Sequence, residues 1–336
     1  MKIYYLKIIK EINDPISNET FYHKSLRLII RLLLNLPFNC SFLLKIIRNI
    51  NFKKTLCKIL IDKNFYYYKY INYLQKGNLK ELLKTKLKWA NYIIKNENLH
   101  NNSSLNLALN YKKLIKKENK SSFPKKKSYK KSNIDFYIYG PNSKSFPKKE
   151  FSESTIILTK FPNFSTKNFN KKLLFLNNFT INKLDNKSLK KKCKNFSKVY
   201  IPKGNKKLLP TMEHIPNLPS DKLASPMNLA RILSCLKTKH KKPLIVIEGF
   251  DLGIEKVAYS GKIESFYNKK NFNVTYRFDL MHHDHIYNFL LIKSLIQNFN
   301  FVKSEEFLEI INQNLEEYFA RTYQSRDFKK IKLNFF

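Results

Sequence analysis

Glycine is scarce in this sequence. Only 6 of the 336 residues are glycine, and none lies in a G-x-G-x-x-G loop, a Walker phosphate loop or a G-x-S-x-G nucleophile elbow. These absences exclude the glycine-rich motifs by which nucleotide-binding and hydrolytic enzymes are usually recognised. We therefore expect a protein that is not an enzyme, takes no small-molecule substrate and needs no cofactor.

Cysteine is equally sparse. The 4 cysteines, Cys40, Cys57, Cys193 and Cys235, lie far apart in the chain. No pair has the C-x-x-C spacing of a zinc knuckle, and no disulfide framework is visible. The spacing therefore predicts free thiols in a reducing compartment.

One short run combines several residue types that bind metals. His282, His283, Asp284 and His285 are consecutive, and neighbouring side chains in such a run point in different directions. No fourth ligand at a suitable spacing accompanies them. The pattern favours a polar turn between a strand and a helix, so we expect no metal site.

Long apolar runs are also missing. The longest one near the start, Leu32 to Leu44, is interrupted by Asn35, Pro37 and Asn39, whereas a membrane span needs roughly 20 apolar residues. Residues 1–14 contain no arginine and no serine, although a mitochondrial presequence is rich in both. We expect no transmembrane helix, and a chain that is cytoplasmic or made in the compartment where it works.

Acidic residues are far outnumbered by basic ones. The chain has 64 lysines and arginines against 25 aspartates and glutamates, which gives a formal net charge of +39. Such a charge repels itself unless a polyanion balances it. Nucleic acid is the first candidate for that polyanion, and an anionic membrane surface is the second.

The composition also carries a genomic signal. Lysine, asparagine, isoleucine, phenylalanine and tyrosine are abundant, and arginines are few. The favoured residues are those that AT-rich codons specify. We interpret this bias as the signature of a small AT-rich genome, such as that of an organelle.

The N-terminal region, residues 1–117, has helical periodicity. Apolar residues recur at helical spacing between Leu26 and Ile50, which predicts an amphipathic segment. After a break at Gly77-Asn78, a second amphipathic helix carries the only tryptophan, Trp89. This region is predicted to be a helical, basic extension.

A lysine-rich stretch follows the helices. Residues 118–133 are predicted to be a basic linker, because a block of like charges usually stays unpacked and often contacts RNA. Phe123 and Tyr129 would add base stacking to the charge. The alternative is a solvated linker without RNA contact.

Strand and helix patterns dominate residues 134–336. Residues 134–139 and 155–159 are predicted strands, and Leu244–Ile247 reads as a short buried strand after Pro243. Val274–Leu280 alternates apolar and polar residues, as a half-buried strand does.

Helix signals separate these strands. Val257, Tyr259 and Ile263 predict a further strand between Gly253 and Ser265. Helices are predicted after Ser225-Pro226, after Asp284 and after Ser304, the last as one continuous helix. The predicted fold class is therefore α+β, with a C-terminal domain of sheet and helices.

The lysine clusters are the candidate RNA-binding sites. One cluster follows Tyr111, and another lies between Lys183 and Lys198. Lysine ammonium groups would neutralise phosphates, while aromatic rings would stack on bases. The residues assigned to RNA binding are Lys112, Lys113, Lys116, Lys117, Lys125, Lys126, Lys127, Lys130, Lys131, Lys190, Lys191, Lys192, Lys194 and Arg277.

In composition and layout the whole chain resembles the divergent ribosomal proteins encoded by protist mitochondrial genomes. Residues 212–296 more weakly resemble the large-subunit ribosomal family that binds 5S RNA in the central protuberance. The family's later glycine-rich loop has no counterpart after Ile296. The matching segments are Met212 with Pro216 and Leu218, Lys242–Ile245, Val274–Arg277 and Ile286–Leu290.

These resemblances imply a structural constituent of an organellar ribosome, located in the mitochondrial matrix. Its partners would be ribosomal RNA and neighbouring ribosomal proteins, without membrane contact. The alternative is a peripheral inner-membrane or respiratory-complex subunit that uses the amphipathic segment from Leu26 to Ile50. A maturase-like nucleic-acid enzyme ranks third, because no motif of paired catalytic carboxylates is recognisable.

Overall fold

The structure is a computed structural model. The predicted amphipathic segment from Leu26 to Ile50 and the predicted strands Val257–Ile263 and Val274–Leu280 lie outside the residues that it describes. The described residues are 66, 70, 73, 74, 76–100, 102–120, 123–129, 134–141, 149–162, 165–177, 180, 181, 184–216, 218, 226–252, 254 and 284–326.

The described part of the chain contains both α-helices and β-strands. The α-helices are α1 (Leu79–Lys95), α2 (Asn102–Asn119), α3 (Asn186–Cys193), α4 (Asn228–Lys239), α5 (His285–Leu295), α6 (Glu305–Ile311) and α7 (Leu315–Arg326). The strands are β1 (Ser128–Tyr129), β2 (Phe136–Tyr139), β3 (Thr155–Leu158), β4 (Lys171–Phe175), β5 (Lys198–Ile201), β6 (Met212–His214), β7 (Leu244–Glu248) and β8 (Asn300–Val302). The predicted α+β class is confirmed.

The eight described strands form one sheet. Their order is β1-β8-β7-β2-β3-β4-β5-β6, and every pairing between neighbours is parallel. A parallel sheet needs apolar cover on both faces, and every side chain of β2 is buried. The strands predicted around residues 134–139, 155–159 and 244–247 are confirmed as β2, β3 and β7.

Helices cover both faces of the sheet. Leu189 and Cys193 of α3 pack against one face, together with Tyr137 of β2. Leu229 of α4 and Phe289 of α5 pack against the other face. We call these the α3 face and the α5 face.

The α5 face carries a second layer of helices. α1 and α2 pack against each other, and α2 packs on α5. Residues of α1, α2, α4, α5, α6 and α7 belong to one apolar cluster with the sheet. α5 is consequently buried on nearly all sides, and Ser294 is its only residue that is not buried. The predicted cap is confirmed, since the Asp284 side chain accepts a hydrogen bond from the Tyr287 backbone N–H.

The prediction of one continuous helix after Ser304 is wrong. The chain forms α6 and α7, and residues 312–314 separate them. Asn314 starts α7 with a reciprocal capping box. Its Oδ1 accepts from the Glu317 N–H at 2.8 Å, and its own N–H donates to Glu317 Oε2 at 2.9 Å. This local cap competes with continuation of α6, and sequence periodicity does not reveal it.

Part of the predicted linker is built into the sheet. β1 lies within residues 118–133 and pairs with β8. The Lys126 N–H donates to Asn312 Oδ1 at 2.9 Å, and the Asn312 amide donates back to the Lys126 carbonyl at 2.8 Å. The lysine-rich composition of this stretch therefore does not keep residues 123–129 unpacked.

Candidate functional site

The structure describes most of the predicted RNA-binding residues. Lys130, Lys131 and Arg277 lie outside the described residues. Lys117 and Lys126 are partly buried. The exposed ones are Lys112, Lys113, Lys116, Lys125, Lys127, Lys190, Lys191, Lys192 and Lys194.

Helical periodicity places the α2 lysines on the outside. Tyr111, Leu114 and Ile115 are buried on the inner side of α2, whereas Lys112 and Lys113 are exposed. Side chains three and four positions apart share one side of a helix. The inner residues therefore fix the lysines on the surface.

The single acidic residue of α2 does not neutralise this surface. Glu118 accepts a hydrogen bond from the Leu315 backbone N–H at 3.0 Å and lies 3.5 Å from Lys293 Nζ. Its carboxylate is thus used to hold α7 and α5 against α2. The charge of the exposed α2 lysines has no counterpart on their own helix.

The α3 lysines are arranged in the same way. Lys190, Lys191 and Lys192 are exposed, and α3 itself contains no acidic residue. Asp185, just before the helix, accepts from the Ser188 N–H at 2.8 Å and from its hydroxyl at 2.7 Å. These hydrogen bonds lower the pKa of Asp185. The nearby carboxylate is therefore used as a helix cap.

The structure does not join the two clusters into one patch. α2 lies on the α5 face of the sheet and α3 lies on the opposite face. The predicted residues therefore form two separate basic surfaces, which we call the α2 surface (Lys112, Lys113, Lys116) and the α3 surface (Lys190, Lys191, Lys192).

Residues 123–129 expose fewer of the predicted RNA-binding groups than the sequence indicates. Lys126 Nζ lies 3.3 Å from the Phe299 carbonyl oxygen, and burial together with the charge of Lys242 lowers the pKa of Lys126. The Phe123 ring lies 4.4 Å from Lys117 Nζ and is partly buried, so this ring is occupied within the chain. Tyr129 is 54% exposed and keeps a surface for base stacking.

Sequence reasoning missed a buried ion pair. Lys86 Nζ of α1 donates a hydrogen bond to Asp284 Oδ2 at the start of α5, and each side chain is only 6% exposed. Lys86 also donates to the Tyr111 hydroxyl at 3.3 Å. The signal was present, because Lys86 falls in the apolar stripe of α1 between Leu82 and Ala90.

The electrostatics of this ion pair follow from burial. Desolvation lowers the pKa of Lys86 to about 8, although the Asp284 carboxylate opposes that shift. Desolvation also raises the pKa of neighbouring Tyr287, whose hydroxyl accepts a hydrogen bond from Asn110 at 3.0 Å. The pair ties α1 and α2 to the N-terminus of α5.

The histidine-rich run is only partly described. His282 and His283 lie outside the described residues, and Asp284 is occupied by Lys86 and by the first turn of α5. His285 is buried. Among the described residues, no group of three or more histidines, cysteines or carboxylates is placed to hold a metal ion.

Comparison of the chain with protein-family models, with curated proteins and with solved structures finds no match. Within the described part of the chain, no helix has both the length and the apolar character needed to cross a bilayer.

Proposed function

We propose that this protein binds RNA through the α2 surface and the α3 surface, as a structural constituent of an organellar ribosome. The observation that carries the proposal is the use of the few acidic side chains. Asp185 and Glu118, which lie beside the two surfaces, are both held in structural hydrogen bonds. The exposed lysines are thus left to a partner that supplies negative charge.

RNA suits two separated basic surfaces. Contacts with backbone phosphates need long, positively charged side chains on the protein surface, and they do not require one concave pocket. A folded RNA can contact opposite faces of one protein. The placement in a mitochondrial ribosome, beside other ribosomal proteins, is supported by the compositional resemblance described above.

The test is RNA affinity measured against salt concentration. With about 6 to 10 phosphate contacts, affinity should fall by roughly 10³ to 10⁵ between 50 and 200 mM salt. Replacing Lys112, Lys113 and Lys116 with Gln should make this dependence shallower, because each lost phosphate contact removes roughly 0.7 to 0.9 from the slope. The α3 surface variant, Lys190, Lys191 and Lys192 to Gln, should act in the same way.

A matched control removes the same charge from lysines that already have carboxylate partners. Lys84, Lys198 and Lys303 lie 3.2, 2.6 and 3.0 Å from Glu81, Glu213 and Glu150. Replacing these three with Gln should change RNA affinity less than either surface variant does. An affinity that hardly depends on salt, or a control variant that weakens binding as much as the surface variants, would overturn the proposal.

The ribosomal part has its own test. The protein should cosediment with ribosomal particles when purified organelles are fractionated on sucrose gradients. Flotation with anionic liposomes in place of cosedimentation would favour the peripheral membrane alternative.

A further inference from the structure

The segment that leads into β1 alternates between exposed and partly buried side chains. Lys125, Lys127 and Tyr129 are exposed, whereas Lys126 and Ser128 between them are partly buried. A period of two residues is that of an extended chain, in which successive side chains point to opposite sides. The three exposed side chains therefore share one side of this segment, and we call them the β1 stripe.

The opposite side of the segment is held in place by the fold. The Lys126 backbone N–H and carbonyl both bond to the side-chain amide of Asn312, at 2.9 and 2.8 Å. The Ser128 hydroxyl accepts a hydrogen bond from the Ser304 N–H at 3.3 Å, and Ser128 pairs with Phe301 of β8. Because β8 and the residues at both ends of α6 fix its inner side, the segment presents the β1 stripe outward.

Tyr129 stands apart from the other aromatic residues of the chain. The sequence has 27 phenylalanines, 20 tyrosines and 1 tryptophan, yet Tyr129 is the one of these that is exposed within the described part of the chain, at 54%. The other exposed large apolar side chain there is Leu109 of α2. An exposed ring gains little free energy from burial, so packing does not explain the position of Tyr129.

The lysines of the β1 stripe, taken alone, would be explained by protection of the sheet edge. Among the described strands, β1 is an edge strand, and charged side chains on such a strand oppose pairing with other chains. An exposed aromatic ring works against this protection. The combination of Lys125, Lys127 and Tyr129 therefore indicates a contact that uses both positive charge and an aromatic surface.

The positive charge of the β1 stripe is not neutralised by the fold. Among the described residues, no carboxylate lies within ion-pair distance of Lys125 or Lys127. By contrast, Lys303, which directly follows β8, lies 3.0 Å from Glu150. Two residues of extended chain span about 6.7 Å, so the two ammonium groups can contact phosphates of one nucleic-acid strand.

We propose that the β1 stripe binds single-stranded RNA, with an unpaired base stacked on Tyr129 and backbone phosphates on Lys125 and Lys127. A ring can stack only on a base whose face is free, whereas the bases of a duplex stack on each other. Positive charge beside an aromatic ring suits single strands of any sequence. The inference rests on the proposed function and deepens it, because it names the form of RNA bound at this edge.

The test compares two labelled RNAs by fluorescence anisotropy with the full-length protein. One is a single-stranded uridine oligomer of about ten nucleotides, and the other is an RNA duplex of the same length. At about 200 mM salt, contacts made by charge alone are weakened. Tyr129→Val removes the ring and keeps a high strand propensity. It should weaken binding of the oligomer by about fivefold to a hundredfold and leave duplex affinity unchanged.

Two further variants test the ring and the lysines separately. Tyr129→Phe keeps the ring and should retain most of the affinity for the oligomer. Lys125→Gln with Lys127→Gln should reduce the slope of log affinity against log salt by about 1.4, because each phosphate contact with a single strand contributes about 0.7. Tyr129→Val should leave this slope unchanged, because base stacking involves no phosphate.

The matched control is Leu109→Ala. Leu109 is 47% exposed and lies on α2, so this variant also removes an exposed apolar side chain, but one far from β1 in sequence and without a stacking surface. It should leave the affinities for both RNAs unchanged. Circular dichroism establishes that each variant is folded.

The outcomes separate this inference from the proposed function. Oligomer affinity that is the same in Tyr129→Val as in the unmodified protein, or that falls equally in Leu109→Ala, overturns the β1 stripe and leaves the α2 and α3 surfaces standing. An equal loss of oligomer and duplex affinity in Tyr129→Val contradicts the preference for single strands. Duplex binding that does not depend on the α2 and α3 lysines, beside a specific oligomer loss in Tyr129→Val, overturns the proposed function alone.

A contact between two copies of the chain would give a different result. In that case Tyr129→Val would lower the mass measured by sedimentation equilibrium and leave oligomer affinity as it was, which would overturn the inference. An unmodified protein that binds neither RNA overturns both the inference and the proposed function.

Discussion

Helices α3 and α5 lie on opposite faces of the same sheet, and their lysines differ in exposure to solvent. Lys190, Lys191 and Lys192 of α3 are exposed. Lys293 of α5 is buried, and its ammonium donates to the Gln313 carbonyl at 2.6 Å with Glu118 at 3.5 Å. The difference shows that the many lysines of this chain are not all exposed surface residues. Some lysines hold the fold together, and others are available to a partner.

The sharpest way to test this contrast is to remove a buried lysine. Lys86→Met should destabilise the protein by about 3 to 5 kcal/mol, because it leaves the Asp284 carboxylate buried without its partner. Denaturant unfolding measures the loss. The double variant Lys86→Met with Asp284→Asn should recover most of it, because asparagine still caps α5. A Lys86→Met variant as stable as the unmodified protein would contradict the buried pair.

The pH dependence of stability offers a second test of the same pair. The pKa of Lys86 is about 8 in the folded chain, against an ordinary value of about 10.4 when unfolded. Between these values the unfolded chain holds a proton that the folded chain has lost, so stability rises with pH.

This rise should be measured relative to the double variant, in which the lysine is absent. Tyr111 and Tyr287 neighbour the pair and are common to both proteins, so their own titration largely cancels in the difference. The unfolding free energy of the unmodified protein should gain on the double variant as pH goes from about 8 to above 10. A constant difference across this range would mean that Lys86 titrates as an exposed lysine does.

Lys293 should show an intermediate effect. Lys293→Met removes the hydrogen bond to the Gln313 carbonyl and leaves Glu118 without a nearby cation, which should cost about 1 to 3 kcal/mol. The loss should be smaller than that of Lys86→Met, because the Leu315 N–H still donates to Glu118. Unfolding in urea compares the two variants directly, and equal losses would show that this remaining hydrogen bond gives Glu118 no protection.

Exposed lysines should have the smallest effect on stability. Each of Lys190→Gln, Lys191→Gln and Lys192→Gln should change the unfolding free energy by no more than about 0.5 kcal/mol. Thermal unfolding of the triple variant measures the combined effect of the three substitutions on stability. A large loss would mean that the α3 surface is part of the packing and not free for RNA.

The strands that could be predicted from the sequence are ones without lysine. Strands β2, β3 and β7 and the cap at Asp284 follow from apolar runs and from an aspartate before a helical pattern. β4 begins with Lys171 and Lys172, so its charge hides a strand whose Leu174 and Phe175 are buried. A strand that opens with two charged residues lacks the apolar run by which the other strands were recognised.

The candidate sites were less accessible to prediction. The lysine clusters were visible in the sequence, but their separation onto two faces depends on which face of the sheet each helix packs against. Lys125, Lys127 and Tyr129 lie at a sheet edge because β1 pairs with β8, which is far along the chain. Strand order in a parallel sheet is a long-range property that hydrophobic periodicity does not encode.

The pairing of β1 with β8 has a consequence for the order of folding. Ser128 of β1 pairs with Phe301 of β8, and β2 likewise pairs with β7, which is synthesised much later. During synthesis, β1 therefore leaves the ribosome long before β8, its neighbour among the described strands, exists. Contacts of such sequence separation form slowly because the intervening loop must first be closed. The pairing of β1 with β8 is thus expected to form late in folding, and the charge of the lysines at 125–127 should oppose aggregation of β1 until then.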